Sequence, residues 1–389
     1  MLILKTWLPV VTAMLCFGLG VGLMAVYGFF VAPLSQEFGV GVAVLNIGPV
    51  ALLLVPGILG AAIGKLADRL PIRRILLVGV SLSMLSLLAI SQAPTLVLVA
   101  LGFLSFSLGL TLYGPVVING LMVKLYPGLE ARALAVAAIG MSLAAISLPL
   151  LVGSLLAHLD WRAALLCLAA GVLTVLWLAI IVGIPPGVVG TVPAAQDSTV
   201  ATFYRNPAFW LIGLCVALGL NVAVVLGVSY PPYFASQGYT VADAGGFLAI
   251  SGLSGLAGKS CLAWLGDATH YYAKWLVAAL LLLQIAGLGL LFMANDASGV
   301  VPAMCLLGFG IGAIVPLHPY LNSRYFDASI ISQVTGAQAP LFLPFGLVGA
   351  PLAGYAFDQT GSYDMVFIAL AVTLGAAALL AIKLPITAK

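Results

Sequence analysis

SGLSGLAGKSCLAWLGDA, residues 251–268, decides what kind of molecule this is. The run reads as part of a membrane-spanning helix, yet Lys259 stands inside it, and Asp267 at its end marks the membrane edge. Eight helical residues separate the two, which places Lys259 about 12 Å deeper. In a hydrocarbon core about 30 Å thick, that is close to the midplane. A charge at that depth costs at least about 3 kcal/mol on insertion scales, and such residues face a cavity, an ion or a substrate. The bland alternative is an amine that snorkels to the cytoplasmic edge or bonds backbone carbonyls, but about 12 Å is a long reach for a lysine stem. A fixed cation at mid-depth predicts a visiting anion.

Working outward, the whole chain has the same character. Of its 389 residues 63% are hydrophobic and only 6% charged, against about 25% charged in a soluble domain. The fold class expected is therefore an all-α polytopic membrane protein. A net charge of +3, with no soluble domain, leaves no place for a nucleic-acid partner. The five cysteines, Cys16, Cys167, Cys215, Cys261 and Cys305, are single and lie in apolar runs. No CxxC or Cys/His spacing suggests a metal, so they read as reduced packing residues. The first apolar run is of spanning length and lacks a small-residue cleavage site, so no cleavable signal is expected.

Apolar segments of spanning length recur at 8–32, 42–64, 75–93, 95–123, 133–157, 162–184, 207–235, 241–265, 274–294, 299–323, 330–356 and 362–384. The longest connection, 185–206, is rich in Pro, Gly, Ser and Thr. It divides the chain into a six-helix bundle at 1–184, a cytoplasmic linker at 185–206 and a second six-helix bundle at 207–389. With both termini in the cytoplasm, Lys5, Lys65, Arg69, Arg73, Arg74, Lys124, Arg132, Arg205, Lys274, Arg324, Lys383 and Lys389 all lie inside, Arg162 alone outside and Lys259 within the membrane. That sorting obeys the positive-inside rule and supports a count of twelve spans.

The halves repeat each other. Asp68 and Asp267 both close the second span of their half, 199 residues apart, and Pro33/Pro232 and Gly39/Gly238 share that offset. GLTLYGP (109–115) and GIGAIVP (310–316) align at an offset of 201. A constant offset points to duplication of a six-helix unit. Parallel six-span halves with a midplane site between them describe the major facilitator architecture, whose halves rock about a central site.

GKLADRLPIRR (64–74) resembles the major facilitator signature between spans two and three, and DWRAA (160–164) resembles a common facilitator turn after span five. Gly64, Asp68, Arg69, Arg73 and Arg74, with Asp267 as counterpart, are then candidates for a gating motif. Asp68 is suited to capping a neighbouring helix N-terminus or pairing with an arginine; the alternative role for the motif is a basic topology anchor. LGFGIGAIVPLHPYLNSRYFD (307–327), GAPLAGYAFDQTGSYDMVF (349–367) and YGFFVAPLSQEFGV (27–40) resemble the monocarboxylate transporter family and its bacterial oxalate/formate-antiporter-like relatives. In that family span eight carries a Gly-Arg pair eight residues before the terminal acid, and the arginine binds substrate carboxylate. Here Gly258 and Lys259 hold those positions. A lysine keeps the charge and loses the bidentate fork. The acidic position four residues earlier is Gly255, and span one carries no charge, so the coupling scheme of animal members does not transfer intact.

Other candidates are polar residues at membrane depth. His318, about 9 Å inside Arg324, stands between Pro316 and Pro319 and is a candidate for substrate binding and proton carriage. Tyr113 is the best match for the tyrosine that the resemblance implies near the carboxylate, and its hydroxyl is a donor. Tyr27, Asn119 and Asn221 are further candidate substrate contacts, with Asn322 and Gln338 behind them. For each, the alternative is polar glue between helices. Gly18, Gly20 and Gly22 lack the strand and loop of a nucleotide site and read as packing positions. No Walker motif, paired carboxylates, Ser/His/Asp set or HExxH exists at depth, so no enzyme activity and no cofactor are expected.

The expected function is secondary transport of a small organic anion, a monocarboxylate such as lactate or pyruvate, by alternating access with a proton as coupling ion. The protein is expected to act as a monomer in the lipid bilayer of a prokaryotic inner membrane. Rivals are organic anion exchange of the oxalate/formate type, drug/proton efflux and a non-transporting nutrient sensor. ISLPLLVGS (146–154) lacks the Gly-Pro-rich motif of efflux pumps, and a cationic drug meets the wrong sign at Lys259.

Overall fold

A computed structural model describes residues 2–40, 45, 48–188, 203–265 and 272–385. Among them there are helices and no strands. Span one is α1 (Leu2–Ala25) followed by α2 (Gly28–Phe38). Then come α3 (Gly48–Arg69), α4 (Ile72–Ser91), α5 (Leu96–Tyr113), α6 (Pro115–Leu125) and α7 (Glu130–His158). Span six is α8 (Trp161–Cys167), a π-helical turn at Leu168–Leu173 and α9 (Thr174–Gly183). The remainder is α10 (Pro207–Ser236), α11 (Val241–Leu265), α12 (Ala273–Met293), α13 (Ala297–Tyr325), α14 (Ile331–Gln338), α15 (Leu343–Thr360) and α16 (Asp364–Ile382).

Among the described residues ten helical stretches are long and apolar enough to cross a membrane. The other two runs expected to span are α1, with a shorter apolar segment at Trp7–Gly20, and α3. Most of the linker expected at 185–206, and Asp267, fall outside the described residues.

The repeat is visible in the backbone. Gly39 (φ 63°) and Gly238 (φ 81°), paired by offset in the sequence, both take the left-handed conformation just past a helix end. Only glycine enters it without a Cβ penalty. Thr95 caps α5 by accepting from the Leu98 amide, and Asp296, 201 residues later, caps α13 by accepting from the Gly299 amide at 3.1 Å.

Among the described residues three spans are discontinuous. Gly114 is extended (φ −86°, ψ −162°) and separates α5 from α6, which opens on Pro115, a residue whose missing N–H is no loss at a first helical position. A turn at residues 26–27 separates α1 from α2, and a 3-10 turn at Ala339–Phe342 separates α14 from α15.

By packing, the chain forms two compact units. Unit one is Met1–Pro127, Val136–Asp197 and Asp327–Pro340, and unit two is Gly128–Ala135, Ser198–Phe326 and Leu341–Lys389. Each therefore includes a short segment from the other half of the sequence, and the two segments begin 199 residues apart, at Gly128 and Asp327.

Within unit one, small residues bring helices together, as expected where lipid gives no hydrophobic drive. A Cβ on Gly60 of α3 would stand 2.8 Å from the Gly336 carbonyl of α14, and one on Gly79 of α4 would stand 2.9 Å from the Gly109 carbonyl of α5. At one end of this unit Arg162 lies over the Trp161 ring, 4.5 Å from its centroid. It donates to the carbonyls of Ser91 (2.6 Å) and Ala93 (2.9 Å) and to Glu37, which also accepts from the Trp161 indole. Arg162 and Trp161 together hold the Glu37 carboxyl below its ordinary range.

Within unit two, α11 packs on α13. A Cβ on Gly255 would stand 3.1 Å from the Gly308 carbonyl, Gly312 abuts the Gly255 backbone, and Gly308 abuts Ser251. Ser254 donates to the Cys305 carbonyl at 2.6 Å.

Candidate functional site

Lys259 sits on α11 next to one of its contacts with α13. The preceding Gly258 faces the Phe309 backbone, so α11 meets α13 with no side chain between them at that point. Lys259 is itself buried, 7% exposed, and lies six residues, about 9 Å, from Leu265 at the end of α11. A buried ammonium is a compact, strongly hydrated charge whose burial favours a group of opposite sign beside it.

Lys259 and His318 lie on the packed pair α11 and α13. Contacts between these helices run at offsets from 51 (Ser254 with Cys305, Gly258 with Phe309) to 57 (Ser251 with Gly308, Gly255 with Gly312). His318 is therefore level with α11 at a point about 3–12 Å beyond Lys259 along the helix axis. His318 is 8% exposed, and its ring meets Phe342 edge-on at 5.5 Å. The Asn322 amide lies 3.3 Å from His318 Nε2. With the amide nitrogen donating, the neutral ring carries its proton on Nδ1. Asn322 is wholly buried, and its role as the amide that orients His318 had no signal in the sequence beyond its i+4 spacing.

The remaining candidates divide by unit. Tyr113, Tyr27 and Asn119 belong to unit one; Lys259, His318 and Asn221 belong to unit two. Tyr113 is fully buried at the α5–α6 break, and its hydroxyl lies beside Ser83 without a hydrogen bond of good geometry. Asn119, 5% exposed on α6, also has an unbonded Oδ1. Tyr27 differs from both. Its hydroxyl donates to the Leu45 carbonyl at 2.6 Å and its ring packs edge-on against Phe103 at 5.1 Å, so its polar atom already serves the fold. Asn221 lines a cavity between α15 and α16 in which neither Lys259 nor His318 takes part. Gln338 is wholly buried in α14.

The gating motif is built within unit one. A Cβ on Gly64 would collide with the Ser332 carbonyl, so glycine lets α3 touch the start of α14. Asp68, 2% exposed, accepts from the Gln333 backbone amide at 2.9 Å and from Lys124 at 2.7 Å. It thus caps a helix N-terminus, one of its two expected roles, and its ion-pair partner is Lys124 and not an arginine. Lys124 looked like a topology charge because nothing in its spacing links it to Asp68. Arg69 and Arg74 are exposed at the surface and Arg73 is half-buried. The matching segment of unit two, which begins at Gly128, places Arg132 with its Nε 3.2 Å from the Ala263 carbonyl, near the end of α11. Among the described residues no group of three or more His, Cys, Asp or Glu gathers as a metal site, and the five cysteines are free.

A family model described as Major Facilitator Superfamily matches residues 10–343. Monocarboxylate transporter 13 of Bos taurus is 25% identical over 257 residues, covering 65% of this chain and 59% of its own length. Monocarboxylate transporter 12 of Homo sapiens is 27% identical over 182 residues, covering 45% of this chain and 35% of its own length. The chain thus spans about a third to three fifths of these curated relatives. Among solved structures, the E. coli fucose:proton symporter FucP superposes with a TM-score of 0.77 at 15% identity, covering 97% of this chain and 98% of that one. The human organic anion transporter MFSD10 superposes with a TM-score of 0.74 at 14% identity, with the same coverage. Likeness at that identity speaks to fold alone.

Proposed function

This chain belongs to the major facilitator superfamily, and we propose on that premise that it is a secondary transporter of a small organic anion, a monocarboxylate, coupled to proton movement. The observation that carries the reading is Lys259, a buried cation on α11, with His318 buried on the neighbouring helix α13. Lys259 neutralises the carboxylate, and apolar side chains enclose the remainder of the substrate.

An anion moving inward alone works against a potential of about 2.3 kcal/mol per charge per 100 mV. Symport with one proton cancels that charge. His318, whose ring lies 3.3 Å from the Asn322 amide, is the proposed carrier. The Asp68–Gln333 and Asp68–Lys124 bonds form the proposed latch, closed in this conformation and broken when residues 327–340 leave α3.

Proteoliposomes supply the test. Lactate or pyruvate uptake is expected to rise when the outside is made acidic, and to do so without internal substrate. Uptake that ignores the pH gradient and needs internal anion identifies exchange instead. Purified protein is expected to be stabilised against heat by monocarboxylates more than by dicarboxylates.

A further inference from the structure

We infer that Asn221 forms the polar end of a second binding site, a lateral cavity for a neutral amphiphile that is dissolved in the membrane and carries a hydroxyl group. The cavity has a volume of about 530 Å³, within the range of about 300–1,000 Å³ usual for small-molecule pockets. It lies wholly in unit two, between α15 and α16, with Asn221 and Val225 of α10 at its floor.

Three observations select the occupant. The first is polarity. Among the lining residues none is charged, and only Asn221 and Thr373 are polar. The Thr373 hydroxyl donates to the Leu370 carbonyl at 2.8 Å, which leaves Asn221. An ion finds no counter-charge here, so a monocarboxylate is excluded from this cavity on the same reasoning that places it at Lys259.

The second is an orphaned acceptor. Asn221 is 8% exposed and its Oδ1 has no hydrogen-bond partner. It rests against Gly349, where a Cβ would stand 2.7 Å from it, so the glycine leaves room for the amide to lie against α15. Asn221 is 14 residues, about 21 Å, from Pro207. At that depth no bulk water completes the bond, and an unmet buried acceptor costs about 1–3 kcal/mol. A ligand hydroxyl removes that cost. A phospholipid acyl chain has no donor to offer at this level.

The third is the rim. Val348 (51% exposed), Leu352 (59%) and Met365 (61%) flank the opening, and all are apolar. Exposed apolar side chains on spanning helices border hydrocarbon, so the ligand enters from the lipid and not from water.

The test uses the full chain in lipid nanodiscs and two photoactivatable probes: hexadecanol and hexadecane, each with a diazirine at mid-chain. Hexadecanol is expected to label residues 343–373, and unlabelled hexadecanol, not hexadecane, is expected to displace it. Asn221→Leu is expected to weaken hexadecanol labelling about tenfold, the effect of one lost hydrogen bond, and to leave hexadecane labelling unchanged. Ala353→Phe, which fills the cavity, is expected to block hexadecanol labelling of this segment. Equal labelling by both probes, or hexadecanol labelling that survives either substitution, overturns the site. None of these readouts depends on transport, so failure here is distinguishable from failure of the anion reading.

Discussion

Asp68 accepts a hydrogen bond from the backbone amide of Gln333, 265 residues further along the chain, while its other oxygen binds Lys124 at 2.7 Å. One carboxylate therefore holds the end of α3, the end of α6 and the first turn of α14. Negative charge is favoured at a helix N-terminus, and both side chains of the pair are at least nine-tenths buried. Asp68→Asn leaves Lys124 buried without its counter-charge and is expected to destabilise the protein by about 3–5 kcal/mol. Hydrogen exchange across residues 331–338 is expected to quicken, and Asp68→Asn with Lys124→Met to regain most of the lost stability. Unchanged protection at Gln333 would remove the latch.

Lys259→Gln keeps length and loses charge. Carboxylate uptake is expected to fall by at least about a hundredfold, and the heat stabilisation by monocarboxylates to vanish, with the yield of folded protein retained, because removing a buried charge relieves a desolvation cost. Lys259→Arg keeps the charge in a planar fork and is expected to bind carboxylate with altered selectivity. Transport by Lys259→Gln with unchanged apparent affinity contradicts the anion site.

His318→Gln separates coupling from binding. Uptake driven by an imposed pH gradient is expected to fall about tenfold or more, to the level seen without the gradient. Exchange of labelled for unlabelled substrate is expected to persist, since it needs no net proton movement. If both activities fall together, His318 holds substrate and does not carry the proton.

Glu37 gives a pH signature away from the cargo site. Its carboxyl is held below the ordinary range by Arg162 first and the Trp161 indole second. A depressed acid contributes stability that is present above its unfolded value of about 4.3 and is lost as pH falls through the lower folded value. Glu37→Gln is therefore expected to lower the melting temperature at pH 7 and to converge with the parent protein once pH has fallen below the depressed folded value. The effect is small because the pair is partly exposed. A melting difference that grows in acid reverses the assignment.

What the sequence discloses and what it hides follow from the range of each signal. Spans are set by local hydropathy, so they were legible wherever a run was long; the offset that paired Gly39 with Gly238 pointed to a repeat, and the left-handed conformation they share came only with the backbone. Asp68 was legible as a helix cap because an acid beside a membrane edge has few uses. Its partners were not, since Lys124 and Gln333 share no spacing with it. Asn221 read as a lining residue by depth, but depth says nothing about rotation, and the helix turns it toward α15 and α16. Tyr27 faced the same limit: only the fold brings Leu45 to its hydroxyl. Lys259 and His318 were each legible as costly residues, whereas the packing of their helices depends on glycine contacts between α11 and α13 that no periodicity encodes.

The grouping of Asp327–Pro340 with unit one has a consequence for biogenesis. Ribosomes add about 5–20 residues each second, so Gln333 emerges roughly 13–53 s after Asp68. During that interval the newly inserted first half has a glycine notch at Gly60 and Gly64 with nothing to fill it, and a carboxylate with one ligand of two. Chaperones or the translocon must tolerate that unfinished surface, and a nascent chain stalled before residue 327 is the form in which quality control would meet this protein half made.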